Sequence, residues 1–309
     1  MKRTTPPVPR RRKNYRNLHF SKSLLDLRAV TERRPCPKCG KRRLYYCYDC
    51  LTVTHPEVHP PPLSLPLEVH VILHPNEIRG KSTSLAASTI SPDLHITSYP
   101  DVPASLSPED TLVLYPSAQS VGIEEVEHLE RYRHVVFIDS TWQQSKGIAR
   151  DERVSRFKHV RIKSQTSLFW RFQNNDPSYL ATVEAIYYLL REFVVQRNKT
   201  QSETKDSKDE KEADEVKRYY HGEVDDLLFY YINQYIEIQE RYNTGKEKFT
   251  DRHFDGYVLE NVDWPKVLEH MKTKQRRKNK SRILKNEKQR VSRLLNPINT
   301  QFHFNYFFS

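Results

Sequence analysis

Glycine is scarce in this chain. Its seven residues, at 40, 80, 122, 147, 222, 245 and 256, never fall closer than eleven apart. That spacing excludes both the G-x-G-x-x-G dinucleotide turn and the G-x-x-x-x-G-K-[ST] phosphate loop. Long apolar runs are also missing. AIYYLL at 185–190 and LLFYYI at 227–232 stop far short of the roughly 18 residues a membrane helix needs, so no membrane partner is expected. The opening stretch MKRTTPPVPRRRKNYRN is basic but lacks the apolar segment and small-residue cleavage site of a secretory signal. An intracellular protein is expected.

What is present is charge, unevenly placed. The 309 residues carry a net +12, which favours an anionic partner, and the length allows about two domains. Residues 1–43 hold 15 Lys/Arg against 2 acids and residues 266–293 hold 12 against 2, so the body between them is acidic. Hydrophobic residues make up 37%, enough for one core, while a mean hydropathy of -0.80 requires much of the chain to be solvated. Residues 196–218, QRNKTQSETKDSKDEKEADEVKR, mix both signs and offer little to bury. The expected organisation is a basic arm (1–30), a cysteine knuckle (31–60), an α/β domain (61–265) carrying a disordered insertion (196–218), a basic segment (266–295) and an aromatic tail (296–309).

Two periodicities alternate through the body. EVHVILH (68–74), TLVLY (111–115), HVVFID (134–139) and HVRIK (159–163) read as short strands bounded by Pro, Asp or Ser. Between them, 76–88, 123–132 and 141–150 have the spacing of crossover helices. A further helix is predicted from Asp176 as N-cap with Pro177 at the first helical position, its face running Val183, Ile186, Tyr187, Leu190. A last helix spans 223–242. Strands alternating with helices imply a layered α/β domain with a mostly parallel sheet.

All four cysteines lie in CPKCGKRRLYYCYDC as Cys36, Cys39, Cys47 and Cys50. This C-x2-C-x7-C-x2-C spacing turns two pairs of thiolates toward one point, the closed sulfur set of a structural Zn²⁺. Two disulfides are the alternative, disfavoured in a reducing cell. Lys38, Lys41, Arg42, Arg43, Arg33 and Arg34 around the knuckle either face phosphate or simply solvate a small module.

HVVFID runs directly into Asp139-Ser140-Thr141-Trp142 and a helical pattern. The carboxyl end of a strand is where ligands bind in α/β sheets, although on local sequence Asp139 reads more readily as the N-cap of that helix. This bend is similar to the D-x-T-W signature of the DTW-domain family of tRNA-uridine aminocarboxypropyltransferases. HPNEIRGKSTSLAAS (74–88), LYPSAQS (114–120), YLATVEAIYYLL (179–190) and the cysteine knuckle resemble further segments of that family in the same order.

The resemblance implies transfer of the 3-amino-3-carboxypropyl group of S-adenosylmethionine to N3 of a D-loop uridine in tRNA, releasing methylthioadenosine. It also implies a SPOUT-like, knotted α/β fold whose loops build the cofactor pocket, which accords with the missing glycine fingerprint. Asp139 is the expected catalytic residue, as base for the uridine N3–H or as anchor for the cofactor ammonium. Arg79, Lys81, Ser82, Thr83, Tyr115, Pro116, Ser117, Ser140, Thr141, Trp142 and Glu184 are the expected cofactor-binding set. Within it, Arg79 and Lys81 are candidates for a carboxylate or phosphate, Ser117 reads also as an ordinary turn residue, and Trp142 reads equally as core. Glu184 stands beside an apolar face and should find a partner, and Ala181 replaces a serine frequent in the family. Phe169 and Trp170 are candidates for base stacking, although core packing is the readier reading of both. KTKQRRKNKSRILK (272–285) reads as a nuclear-import cluster or an RNA arm, giving tRNA as partner, no DNA, and the nucleus as expected location. A non-catalytic RNA-binding adaptor and a SPOUT-type methyltransferase stand as the rival readings.

Overall fold

The computed structural model describes residues 17–169, 178–202 and 212–244, with isolated positions between 266 and 272. Asp176, Pro177, Trp170 and everything after 272 lie outside the described residues. Near the amino end, α1 (Leu24–Arg28) is capped by Ser23, whose hydroxyl accepts from the Asp26 N–H. Two short antiparallel ribbons follow, β1 (Arg34–Pro35) with β2 (Arg42–Arg43), and β3 (Tyr46–Cys47) with β4 (Thr52–Val53).

The main sheet has six strands: β5 (Glu68–Leu73), β6 (Leu94–Ser98), β7 (Thr111–Leu114), β8 (Val121–Gly122), β9 (His134–Asp139) and β10 (Lys158–Arg161). Their spatial order is β6-β5-β9-β7-β10-β8, and every pairing is parallel. The chain leaves β5 toward one side to make β6, crosses to the other for β7 and β8, then returns to seat β9 between β5 and β7. That reversal is the kind of switch point at which the carboxyl ends of strands form a crevice.

Strand alternation assigns each side chain to a layer. Val69, Val71, Leu112, Val135 and Phe137 enter the larger core, with α2 (Ser84–Ala87), α5 (Thr182–Thr200) and α7 (Phe229–Asn243). Ile72, Val113 and Val136 enter a smaller core on the opposite face, with α3 (Trp142–Arg150) and α4 (Glu152–Ser155). On α5 alone, Val183, Ile186, Leu189 and Leu190 are fully buried, each stabilising the fold by roughly 1.5–3 kcal/mol.

The predicted strands and the helix at 141–150 are present within a residue or two, and the structure differs elsewhere. Residues 123–132 form two 3₁₀ turns, Ile123–Glu125 and Leu129–Arg131, separated by His128 in the left-handed region at φ 52°. Of 76–88, only Ser84–Ala87 is α-helical, after a 3₁₀ turn at Arg79–Lys81. α5 begins at Thr182, where the Glu184 carboxylate reaches back to the Ala181 N–H. It continues to Thr200, and α6 (Glu212–Tyr219) follows, so both ends of the supposed insertion are helical. The two are joined by the Asn198 amide donating to the Tyr219 carbonyl at 2.8 Å and by a Lys199–Glu215 ion pair. The last helix opens with a 3₁₀ turn at Asp225–Leu228 before α7.

Candidate functional site

Asp139 ends β9, and its side chain is 5% exposed. Three hydroxyls converge on it. Ser82 and Ser84 donate to Oδ2 at 2.6 and 2.7 Å, and Thr182 donates to Oδ1 at 2.8 Å. The two serine hydroxyls are themselves 3.0 Å apart. One carboxylate therefore ties together the carboxyl end of β9, the turn before α2 and the first residue of α5. Thr83 adds a second tie, its hydroxyl accepting from the Val183 N–H at 3.3 Å. A carboxylate offers about four acceptor directions, and Oδ1 accepts one of these hydroxyl bonds among the described residues.

The helix-cap reading of Asp139 does not hold. Thr141 is the N-cap of α3, and the Gln144 side chain accepts from its N–H and its hydroxyl at 3.2 and 2.8 Å. Ser140 is half-buried, its hydroxyl donating to the Thr141 carbonyl. Trp142 is not a core residue. It is 41% exposed and meets the Tyr179 ring edge-on, centroids 4.8 Å apart. Ile78, 57% exposed, is the other large apolar side chain on the surface among the described residues.

The remaining candidates divide. Arg79 donates from Nε to the Tyr48 carbonyl at 3.0 Å, binding the turn to the knuckle, and Gly80 lies so close that a Cβ there would sit 3.3 Å from the Tyr48 ring. Lys81 is exposed. Tyr115, Pro116 and Ser117 leave the carboxyl end of β7, so the parallel sheet places them on the same edge as Asp139. Ser117 bonds His159 Nδ1 at 3.1 Å, not the Asp139 cluster. Glu184 is 2% exposed and has its predicted partners. Ser167 Oγ, the Leu168 N–H and the Ala181 N–H reach it at 2.6, 2.7 and 2.9 Å, while burial pushes its pKa up. Phe169 packs partly against the larger core. Ser84 and Thr182, the other two hydroxyls of the cluster, are not among the residues expected at the site, although both lie inside segments that carry the family likeness.

In the knuckle, one sulfur from each of the four cysteines lies within 4.8 Å of the others. Cys39 and Cys47 Sγ are 3.7 Å apart, close to the edge of a tetrahedron with Zn–S bonds of about 2.3 Å. Gly40 takes φ 72° in the first CxxC turn, and Leu51 is forced to φ 53° at the second, a strain of about 1–2 kcal/mol for a residue with a Cβ. Burial opposes ionisation of Cys47, yet the Cys50 and Asp49 N–H groups and Arg43 bring it down to about 6, while the crowded thiols and burial push Cys50 up to about 12. A divalent cation relieves that crowding, so the donor set fits Zn²⁺. Much of the surrounding charge is internal. Lys41 and Arg43 pair with Asp49 at 3.0 and 2.8 Å, Arg34 with Glu57 at 2.8 Å, and Arg42 with Glu32 at 3.7 Å, whereas Lys38 and Arg33 remain exposed.

Fold and site together define a layered α/β protein with a hydroxyl-anchored carboxylate at the carboxyl edge of a parallel sheet and a four-cysteine knuckle docked beside it. Residues 36–231 match the DTW domain, and the chain belongs to the DTW-domain family. It is 30% identical over 275 residues to the tRNA-uridine aminocarboxypropyltransferase 1 of Mus musculus, covering 74% of this chain and 84% of the mouse protein. The protein of the same name from Xenopus tropicalis is 30% identical over 268 residues, covering 71% and 84%. Among solved structures, the SAM-dependent rRNA:acp-transferase Tsr3 from Vulcanisaeta distributa aligns with 68% of this chain and 99% of that chain, with a TM-score of 0.32 and 18% identity.

Proposed function

We propose that this chain is a tRNA-uridine aminocarboxypropyltransferase with a structural Zn²⁺ in its knuckle. The observation that carries the reading is the hydroxyl-anchored Asp139 within a DTW domain whose full-length relatives bear that name. S-adenosylmethionine supplies the 3-amino-3-carboxypropyl group: uridine N3 forms the new bond to its methylene, the N3–H proton passes to Asp139 or to water, the methylene–sulfur bond breaks, and methylthioadenosine leaves. The chain's own groups suit this chemistry. Ser82, Ser84 and Thr182 fix the Asp139 carboxylate in one orientation, with acceptor capacity on Oδ1 for the cofactor ammonium or the N3–H. Thr141 sets the direction of α3, and with it the exposed face of Trp142, where positive charge is favoured over an aromatic ring. Ser140 closes the bend between them.

Arg79 and Lys81, on the turn between the knuckle and Ser82, supply positive charge for a carboxylate or an RNA phosphate. Tyr115, Pro116 and Ser117 form the second loop on that edge, and Glu184 holds the start of α5 against Ser167 and Leu168. Cys36, Cys39, Cys47 and Cys50 hold the metal. The substrate is tRNA, modified at N3 of a D-loop uridine. The basic ends of the chain supply phosphate contacts, and the nucleus is the proposed location.

The test uses the full chain, tRNA and S-adenosylmethionine labelled in either the carboxyl carbon or the methyl carbon. Label reaching tRNA from the carboxyl carbon alone is the expected result. Label from the methyl alone means methylation, and from neither means a binding adaptor, each overturning the proposal. Asp139→Asn should abolish transfer. Unchanged cofactor affinity in that variant assigns Asp139 as base, and lost affinity assigns it as anchor.

A further inference from the structure

Three metal-ligating side chains converge at the other end of the sheet from Asp139. Glu68 and His70 lie on β5, and His134 is the first residue of β9, roughly 16 Å along the strand from Asp139. Alternation turns Glu68 and His70 away from the Val69 and Val71 core. Parallel register sets Glu68 beside His134 and His70 beside Val136. The nitrogens His70 Nε2 and His134 Nδ1 are 3.3 Å apart. Glu68 Oε2 lies 3.3 Å from His134 Nδ1 and 3.9 Å from His70 Nε2.

Hydrogen bonding alone accounts poorly for this triangle. His134 Nδ1 has either one proton or one lone pair, so it can serve His70 or Glu68 but not both. A cation at the centre would let all three act as lone-pair donors. Neighbouring ligands on a tetrahedral ion with bonds of 2.0–2.1 Å are spaced about 3.3–3.4 Å, the separation found on two sides of the triangle. The surroundings also fit. His134 Nε2 faces Asp110 Oδ2 at 3.9 Å, the outer carboxylate that commonly orients a ligating imidazole. Exposed His95 on β6 lies beside His70, the two rings tilted by 31° with centroids 5.2 Å apart.

We propose that Glu68, His70 and His134 form a second metal site, for Zn²⁺, with His95 or water completing it. Two imidazoles and one carboxylate select a borderline ion over Mg²⁺ or Ca²⁺, which take oxygen ligands. The ion clips β9 to β5 at the amino edge and is independent of the cysteine-bound metal and of the transfer reaction.

The test compares zinc bound by the full chain, His134→Ala and Glu68→Gln after dialysis against buffered Zn²⁺, with Co²⁺ substitution as a second readout. Wild type should hold one equivalent more than His134→Ala, and Glu68→Gln should hold the extra ion at least about 10-fold more weakly, since losing a direct ligand costs no less than losing an outer-shell partner. The sulfur-to-Co²⁺ charge-transfer band of the cysteine site should stay unchanged in both variants. Glu68 is 53% exposed, so Glu68→Gln keeps the fold and decides the matter if His134→Ala does not express. Equal zinc content and affinity in wild type and Glu68→Gln would overturn the proposal.

Discussion

Replacing Ser84 by Ala probes the Asp139 cluster without touching the carboxylate. Ser84 is fully buried, and its hydroxyl lies 2.7 Å from Asp139 Oδ2. A hydrogen bond to a charged group contributes about 1.5–3 kcal/mol net. Ser82 remains on the same oxygen, so no acceptor is orphaned and the loss should be about 2 kcal/mol. In an Asp139→Asn background the same bond is neutral and roughly half as strong, so Ser84→Ala should cost only about 1 kcal/mol there. The double-mutant cycle should therefore return a coupling of about 1 kcal/mol. Urea unfolding of the four proteins at neutral pH, followed by far-ultraviolet circular dichroism, measures it. Equal cost in both backgrounds, or a cost below about 0.5 kcal/mol in wild type, would refute the view that the serine pair exists to hold a charged carboxylate.

Glu192 gives a pH-dependent test. Burial, opposed by the Lys163 N–H and the Arg191 and Lys163 charges and reinforced by Glu124, pushes its pKa from the ordinary carboxylate value up to about 7. A raised carboxyl favours the folded state only while it holds its proton. The cost therefore grows as pH rises from about 4.5 through 7 and reaches at most about 3 kcal/mol. Glu192→Gln should be the more stable protein at pH 8 and lose that advantage by pH 5; a pH-independent difference in Tm would contradict this. With Zn²⁺ in the knuckle as proposed, chelation should release Tyr48 from Arg79 and speed hydrogen exchange across 78–82, and unchanged exchange would mean that the turn is held without the knuckle. Affinity for tRNA should fall linearly in log–log salt plots, by about 0.7–0.9 per phosphate neutralised, and a flat plot would remove the basic ends from the interface.

Sequence legibility tracked how a segment is buried. HVVFID was readable because β9 is central, with Val135, Val136 and Phe137 buried between both layers. LHITS was not, because β6 is an edge strand on which Leu94 alone is fully buried and the side chains between carry no clean alternation. The spacing of 123–132 was helical, but the backbone breaks it at His128, which no periodicity reports. Residues 196–200 looked soluble, yet they continue α5 because its polar side chains are paired across to α6. At the site, the position of Asp139 could be read from the strand that delivers it. Its partners could not, since Ser82 and Ser84 come from 57 and 55 residues away and Thr182 from 43.

The strand order has a consequence for synthesis on the ribosome. β5 and β7 flank β9 in the finished sheet, yet both emerge before it, and 60 residues separate Leu73 from His134. At about 5–20 residues per second, β5 spends roughly 3–12 s with its inner edge unpaired. Through that interval the inner edge of β5 is an open row of backbone donors and acceptors, a template for wrong pairing that the finished sheet no longer presents.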